Sequence, residues 1–304
     1  MNENLIRMMD RDGVLCVLAA DTTDMVREMQ RLHGTAKVVS AALGRLLTAA
    51  SLMGSMLKGE NDSVTLTVRG DGPASPLTAV ADSRGNARGC AGRVDVRLPL
   101  NDRGKLDVAG AVGKTGTLTV VRDLGLREPY VGQVPLVSGE IAEDVTAYYA
   151  ASEQTPTVCA LGVLVDPETE GILNAGGFLI QLLPTADDSV IDRVERCVGK
   201  VRPVTTMLFE GMTPEAICRA ALPEFTLETL DCASVGYRCT CSRERTKNAL
   251  RATGLAALEE MAGDEETRAT CNFCNKTYVF SKAEVQALAR EARAAQAENG
   301  RETT

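Results

Sequence analysis

The sequence predicts an α+β protein in three parts: a mixed α/β core domain at residues 1–184, a helical linker region at 185–233, and a small cysteine-bearing domain at 234–304. Three observations carry this reading. Short strand-like runs and one long apolar helix are interleaved up to Pro184. Beyond it, apolar residues recur only over short helical stretches. After Ser234, four cysteines fall in two close pairs.

Val14 to Ala20 is a compact apolar run suited to a strand. From Ala36 to Lys58, Val38, Val39, Ala42, Leu43, Leu46, Leu47, Ala50, Met53 and Leu57 keep helical spacing, and Lys58-Gly59 is a stop signal. That helix belongs to the core. Ser63 to Gly70 alternates, and Gly70-Asp71-Gly72-Pro73 turns the chain. Leu77 to Ala81 and Gly89 to Val96 flank Ser83-Arg84-Gly85-Asn86 as a hairpin, and Thr115 to Arg122 is a further strand. Ser138 to Ala151 reads as a helix with Glu140, Glu143 and Asp144 early, where the helix dipole favours acids. Val158 to Val165 and Gly177 to Leu183 are buried strands.

In the linker region, Val190, Ile191, Val194, Cys197 and Val198 share a helical face, and Thr213-Pro214-Glu215 starts a helix that Pro223 must end. Leu227 to Cys232 reads as one more turn. Such short helices are marginal without a neighbour to cover their apolar faces. Further on, helices are expected at Glu244 to Arg251 and Leu255 to Met261, and Ser281 with Glu284 forms a capping box. The tail from Glu298 should fray.

Apolar residues make up 44% and charged residues 24% of the 304, the mix of a soluble globular protein. Aromatic residues are only 3% and tryptophan is absent, so the core rests on aliphatic side chains. The net charge of −8 argues against a general nucleic-acid binder, which needs a basic face for phosphates. The N-terminal MNENLIRMMDRDG lacks the pattern of a signal peptide. The most apolar stretch, Val38 to Leu57, carries Arg45, which argues against a membrane span. These features place the chain in the cytoplasm. The single histidine, His33, has no nucleophile motif beside it, so the sequence does not read as an enzyme.

A cytoplasmic setting keeps most of the ten cysteines as thiols. Cys16, Cys90, Cys159, Cys197, Cys218 and Cys232 are scattered, mostly among apolar neighbours, and read as small hydrophobes. Cys239-Thr-Cys241 and Cys271-Asn-Phe-Cys274 differ: each pair can supply one edge of a tetrahedral thiolate site, the preferred arrangement for zinc. The segment between the pairs exceeds the usual zinc-ribbon gap of about 15 to 20 residues and has room for two short helices. Spacing alone leaves a structural zinc and a redox switch on even terms. Switching is favoured by electron-rich sulfurs, each with a near partner for a disulfide. Losing the metal would unfold the segment near 234–290, because small zinc modules depend on it by on the order of 10 kcal/mol. If the linker helices lean on that segment, their apolar faces are uncovered, and exposed apolar surface binds unfolded proteins. Val190, Ile191, Val194, Ile217 and Leu222 are then candidate contacts with such clients.

At these residues the chain resembles the thirty-three-kilodalton heat-shock protein family of redox-regulated bacterial holdase chaperones. Cys239-Thr-Cys241-Ser-Arg-Glu-Arg and Cys271-Asn-Phe-Cys274-Asn-Lys-Thr-Tyr278-Val-Phe280 look like its two zinc half-motifs. Ala42-Leu43-Gly44-Arg45, Gly70-Asp71-Gly72-Pro73, Glu128-Pro129-Tyr130, Ser152-Glu153-Gln154 and the run from Gly176 to Pro184 carry the likeness through the core. The resemblance implies one zinc ion on Cys239, Cys241, Cys271 and Cys274 in the reduced, inactive form. It implies Cys239–Cys241 and Cys271–Cys274 disulfides after oxidation, linker unfolding, a homodimer formed through the core, and client holding without ATP. The chain departs from the family at Arg88-Gly89-Cys90, where an aromatic residue is expected after Arg-Gly, and in its additional cysteines.

Two other functions stay open on the residues. Arg238, Arg243, Arg245, Lys247 and Arg251 beside the first pair would suit a structural zinc ribbon that binds nucleic acid. Cys271-x-x-Cys274 alone would suit a thiol-disulfide oxidoreductase, although the strand–CxxC–helix context is missing. Phe273, Tyr278 and Phe280 read as the small core of the cysteine domain.

Overall fold

The computed structural model describes residues 3–302. The fold is α+β, and the chain divides into two units, Met1–Arg238 and Cys239–Thr304. The first opens with strands β1 (Leu5–Asp10) and β2 (Leu15–Asp21) and helices α1 (Thr23–His33) and α2 (Lys37–Gly54). Strands β3 (Ser63–Gly70), β4 (Leu77–Asp82) and β5 (Ala87–Ala91), helix α3 (Val108–Val112), and strands β6 (Gly116–Asp123) and β7 (Tyr130–Pro135) follow. Then come α4 (Ala142–Tyr148), β8 (Thr157–Val165), β9 (Ile172–Leu182), the helices α5 (Asp188–Val198), α6 (Val204–Phe209) and α7 (Pro214–Ala221), and β10 (Leu227–Ala233). The second unit contains α8 (Arg243–Ala252), α9 (Leu255–Met261), the hairpin strands β11 (Glu266–Thr270) and β12 (Thr277–Ser281), and α10 (Lys282–Glu302). Of the tail expected to fray, residues 303 and 304 lie outside the described residues.

Two antiparallel five-stranded sheets build the first unit, in the orders β10-β1-β2-β9-β8 and β5-β4-β3-β6-β7. Helix α2 packs against strands of both sheets. Every α2 residue except Lys37 and Arg45 is buried, as expected of a helix apolar on all sides. Its polar side chains are paired: Ser40 with Thr35 at 2.6 Å, Thr48 with Thr22 at 2.7 Å, and Ser51 donating to the Gly85 carbonyl at 2.6 Å. Gly44 permits the tight fit, since a Cβ there would sit 2.8 Å from Val26 and from Val163.

The β10-β1-β2-β9-β8 sheet has a second apolar face. Met8, Leu15, Val17, Phe178 and Ile180 project onto it and pack with Val190, Val194, Met207, Ile217 and Leu222. Helices α5, α6 and α7 are therefore a cover on this sheet. Helices α5 and α7 start where side chains cap them, with Asp187 accepting from the Val190 amide and Thr213 from the Ala216 amide.

The structure corrects three local expectations. Leu227 to Cys232 is not a helical turn but β10, paired antiparallel with β1 from Leu5↔Ala233 to Asp10↔Leu227. Its unpaired backbone gains a ladder there that an isolated turn of helix would lack. The helix expected from Ser138 begins at Ala142, because residues 137–141 fold around the buried Asp144 carboxylate. That carboxylate accepts amides of Val137 at 2.8 Å, Ser138 at 3.1 Å and Ile141 at 3.0 Å. The strand expected at Gly89 to Val96 stops at Ala91. No helix among the described residues is long and apolar enough to cross a membrane.

Candidate metal centre

All four clustered cysteines lie in the Cys239–Thr304 unit. Cys241 immediately precedes Ser242, the N-cap of α8, which accepts from the Arg245 amide at 3.1 Å. Cys271 and Cys274 occupy the tight loop joining β11 to β12. The Asn275 amide donates to the Cys271 carbonyl at 2.9 Å, and the Cys271 amide donates to the Lys276 carbonyl at 3.0 Å. Asn275 adopts φ 58°, a left-handed conformation that asparagine tolerates and that points the loop back on itself. A core of Leu250, Leu258, Tyr278, Phe280, Val285, Leu288 and Ala289 supports both pairs. Tyr278 and Phe280 thus take the core places the sequence suggests, while Phe273 is half-buried.

The four Sγ atoms lie within 4.8 Å of one another. Cys239 and Cys271 approach to 3.7 Å, and Cys241 and Cys274 to 3.4 Å. A tetrahedron with zinc–sulfur bonds of about 2.3 Å has edges of about 3.8 Å. The donor set therefore fits a metal ion: four soft sulfurs at tetrahedral spacing, brought together from two sequence-local pairs.

Charge is unevenly shared among the sulfurs. Burial pushes Cys239 up to about 12, and burial also raises Cys274. Burial acts upward on Cys241 as well, but hydrogen bonds from Tyr278 and then from the other three cysteines outweigh it and bring this thiol down to about 7. Those hydrogen bonds favour the thiolate form of Cys241. Binding a dication to the whole set must displace the protons of the others.

The remaining cysteines mostly match the apolar reading. Burial pushes Cys159 and Cys218 up to about 12 and raises Cys16. Cys232 differs, since it is exposed and its thiol is raised by a hydrogen bond with Glu3. The basic residues near the first pair are largely engaged within their own unit. Arg243 donates to Glu284 at 2.7 Å and to the Val279 carbonyl at 2.8 Å, and lies 4.5 Å from the Phe280 ring centre. Arg251 binds Glu291 at 2.7 Å, and Arg245 donates to the Thr240 hydroxyl at 2.6 Å.

The candidate client residues are in the other unit. Val190, Val194, Ile217 and Leu222 are buried and Ile191 is partly buried, all in the cluster between the α5–α7 cover and the sheet. One residue of the site, Tyr278, is legible in the sequence only as part of the small core. Its hydroxyl donates to Cys241 Sγ at 3.3 Å. The only sequence signal was a tyrosine in a core position where phenylalanine would pack as well.

Fold and site define a modular α+β protein that ends in a four-cysteine centre able to hold a metal ion. The family model described as Hsp33 protein matches residues 3–281, and the chain belongs to that family. It is 45% identical over 291 residues to a protein named 33 kDa chaperonin from Acetivibrio thermocellus, covering 95% of this chain and 98% of the relative. A protein of the same name from Clostridioides difficile is 44% identical over 292 residues, with 96% and 100% covered. The crystal structure of the Thermotoga maritima 33 kDa chaperonin superposes with a TM-score of 0.85 at 36% identity, covering 95% of this chain and 98% of that one.

Proposed function

We propose that this protein is a cytoplasmic, ATP-independent holdase chaperone for unfolded clients, switched on by oxidation of a four-thiolate zinc centre. The observation that carries the reading is the closeness of the four sulfurs, within 4.8 Å, in a chain of the Hsp33 family. When bound, zinc supplies a cross-link that holds the two cysteine pairs, and hence the small unit around them, in one fold.

In the reduced state Cys239, Cys241, Cys271 and Cys274 hold the metal, and α5–α7 cover the sheet. Oxidation by hydrogen peroxide joins Cys239 to Cys241 and Cys271 to Cys274. For each pair, two thiolates give up two electrons, the peroxide O–O bond breaks, a sulfur–sulfur bond forms, and two protons complete two water molecules. Sulfurs tied in disulfides no longer hold the ion, and the second unit loses its staple.

The covering helices then come off the sheet. They span 11, 6 and 8 residues, lengths that need tertiary support. Met8, Val17, Phe178 and Ile180 on the sheet, and Val190, Ile191, Val194, Ile217 and Leu222 on the cover, become client-binding surface. Two activated copies associate through the core.

The test follows zinc release and suppression of client aggregation together, before and after peroxide, with no nucleotide added. The expected result is zinc bound and little suppression before oxidation, then release and strong suppression after it. Equal suppression in both states would refute the switch.

A further inference from the structure

We propose that the Tyr278 hydroxyl is a positioning donor that holds Cys241 in the thiolate set and slows its attack on peroxide. This rests on the redox reading above and adds to it a residue outside the four cysteines that sets how readily the switch responds.

Tyr278 and Phe280 alternate on the same face of β12 and are both buried in the small core, at 6% and 0% exposure. Phe280 shows that this face needs a ring and no hydroxyl. A buried hydroxyl is costly unless it has a partner, and Tyr278 finds one in Cys241 Sγ at 3.3 Å. The ring cannot easily aim elsewhere. Its strand is paired at Tyr278↔Ala269 with β11, directly beside the Cys271–Cys274 loop, and the Lys276 ammonium lies 5.2 Å from the ring centre. The hydroxyl therefore bridges the two halves of the site, carried on the strand after the second pair and bonded to a sulfur of the first.

Two consequences follow. Four thiolates around one dication leave an excess of negative charge, and a donor to one sulfur offsets part of it and fixes the direction of that sulfur. A sulfur that shares its electron density with a donor is also a weaker nucleophile. In the oxidation, the attacking sulfur takes one peroxide oxygen, the O–O bond breaks, and the other oxygen leaves as hydroxide, which is protonated to water. A neighbouring thiolate then displaces hydroxide from that sulfur to close the disulfide. The Tyr278 hydroxyl opposes the first of these steps at Cys241.

The test is Tyr278→Phe in the full chain, which keeps the ring and removes the donor. Three readouts are zinc affinity by chelator competition, the spectrum of the cobalt(II)-loaded protein, and the rate of zinc release by peroxide. Zinc affinity should fall on the order of 10–100-fold, the usual scale for removing an outer-shell partner. The sulfur-to-cobalt charge-transfer band should move to longer wavelength while the tetrahedral ligand-field bands persist. Zinc release should quicken. Unchanged affinity and an unmoved band would overturn the proposal, as would collapse of the ligand-field bands, which would make Tyr278 a folding residue only. If peroxide releases zinc from neither protein, the redox reading fails, while affinity and spectrum still decide the role of Tyr278.

Discussion

Single side chains in this protein do their work by collecting backbone groups that would otherwise be buried unpaired. Asp144 is fully buried, and its carboxylate gathers amides from Val137, Ser138 and Ile141, so one residue shapes a whole turn. Each orphaned buried donor costs about 1–3 kcal/mol. Asp144→Ala should therefore lower the stability of the first unit by roughly 3 kcal/mol or more, read by denaturant unfolding, without altering zinc affinity. A change in metal binding would show that the turn at 137–141 matters beyond its own unit. Glu284 plays a similar part in the second unit. It accepts from Arg243 at 2.7 Å and from the Ser281 amide at 2.8 Å, completing the capping box. The Arg243 bond first, then the Ser281 bonds, hold its carboxyl down to about 2 against an ordinary 4.5. A depressed carboxyl stabilises the fold above the ordinary value and ceases to do so as pH falls through the folded one. Glu284→Gln should thus lower the melting temperature of the second unit at pH 7, and its difference from the parent protein should shrink between about pH 4.5 and about pH 2. A difference that does not change across that window would mean the carboxylate charge plays no part.

Among the elements, the segment that leads from β10 to Cys239 is pinned along its length. Val235 donates to Asn4 Oδ1 at 2.7 Å, and Asn4 returns a bond to the Val235 carbonyl at 3.0 Å. Ala87 donates to the Gly236 carbonyl at 3.1 Å and Arg238 to the Ala87 carbonyl at 2.9 Å. The Tyr237 hydroxyl accepts from the Gly89 amide at 3.2 Å and donates to the Gly89 carbonyl at 3.0 Å. Along the chain, these bonds stand between Cys239 and β10. Tyr237→Phe removes both Gly89 bonds, at about 1 kcal/mol each. It should speed hydrogen exchange at Arg238 and lower the peroxide dose that uncovers apolar dye-binding surface. Exchange that speeds without any change in dose would mean the strap is no part of the switch. The sequence made some of this legible and hid the rest for a physical reason. Helix α2 and strands β3 and β6 were readable because their periodicity lies within one segment. The cysteine pairs were readable because each pair is local. Strand β10 was not, because Leu-Glu-Thr-Leu-Asp-Cys-Ala has weak alternation, and its partner β1 lies at the far end of the unit. The bond from Tyr278 to Cys241 was hidden for the same reason, since it joins residues that only the folded hairpin brings together.

At the scale of the whole molecule, the two units have very different means of staying folded. Met1–Arg238 contains two five-stranded sheets, a helix buried between them and a second apolar layer, ample core for a domain without staples. Cys239–Thr304 has only a small cluster around Leu250, Leu258, Phe280, Val285 and Leu288. Below about 70 residues such a core supplies only a few kcal/mol and commonly needs a metal or disulfides. A structural zinc contributes on the order of 10 kcal/mol, more than a core of this size. Removing the metal from the reduced chain with a chelator should therefore melt residues 239–304 as a unit and leave the first unit's sheets intact. Hydrogen exchange would show it as loss of protection in β11, β12 and α8 with β3, β6 and α2 still protected. Thermal scans of the loaded protein should change from one pattern to another as a metal-dependent transition disappears. Protection in β11 and β12 that survives complete metal removal would mean the small core suffices alone. Oxidation of the four sulfurs would then have nothing to unfold, and the lever on which the proposed switch depends would be absent.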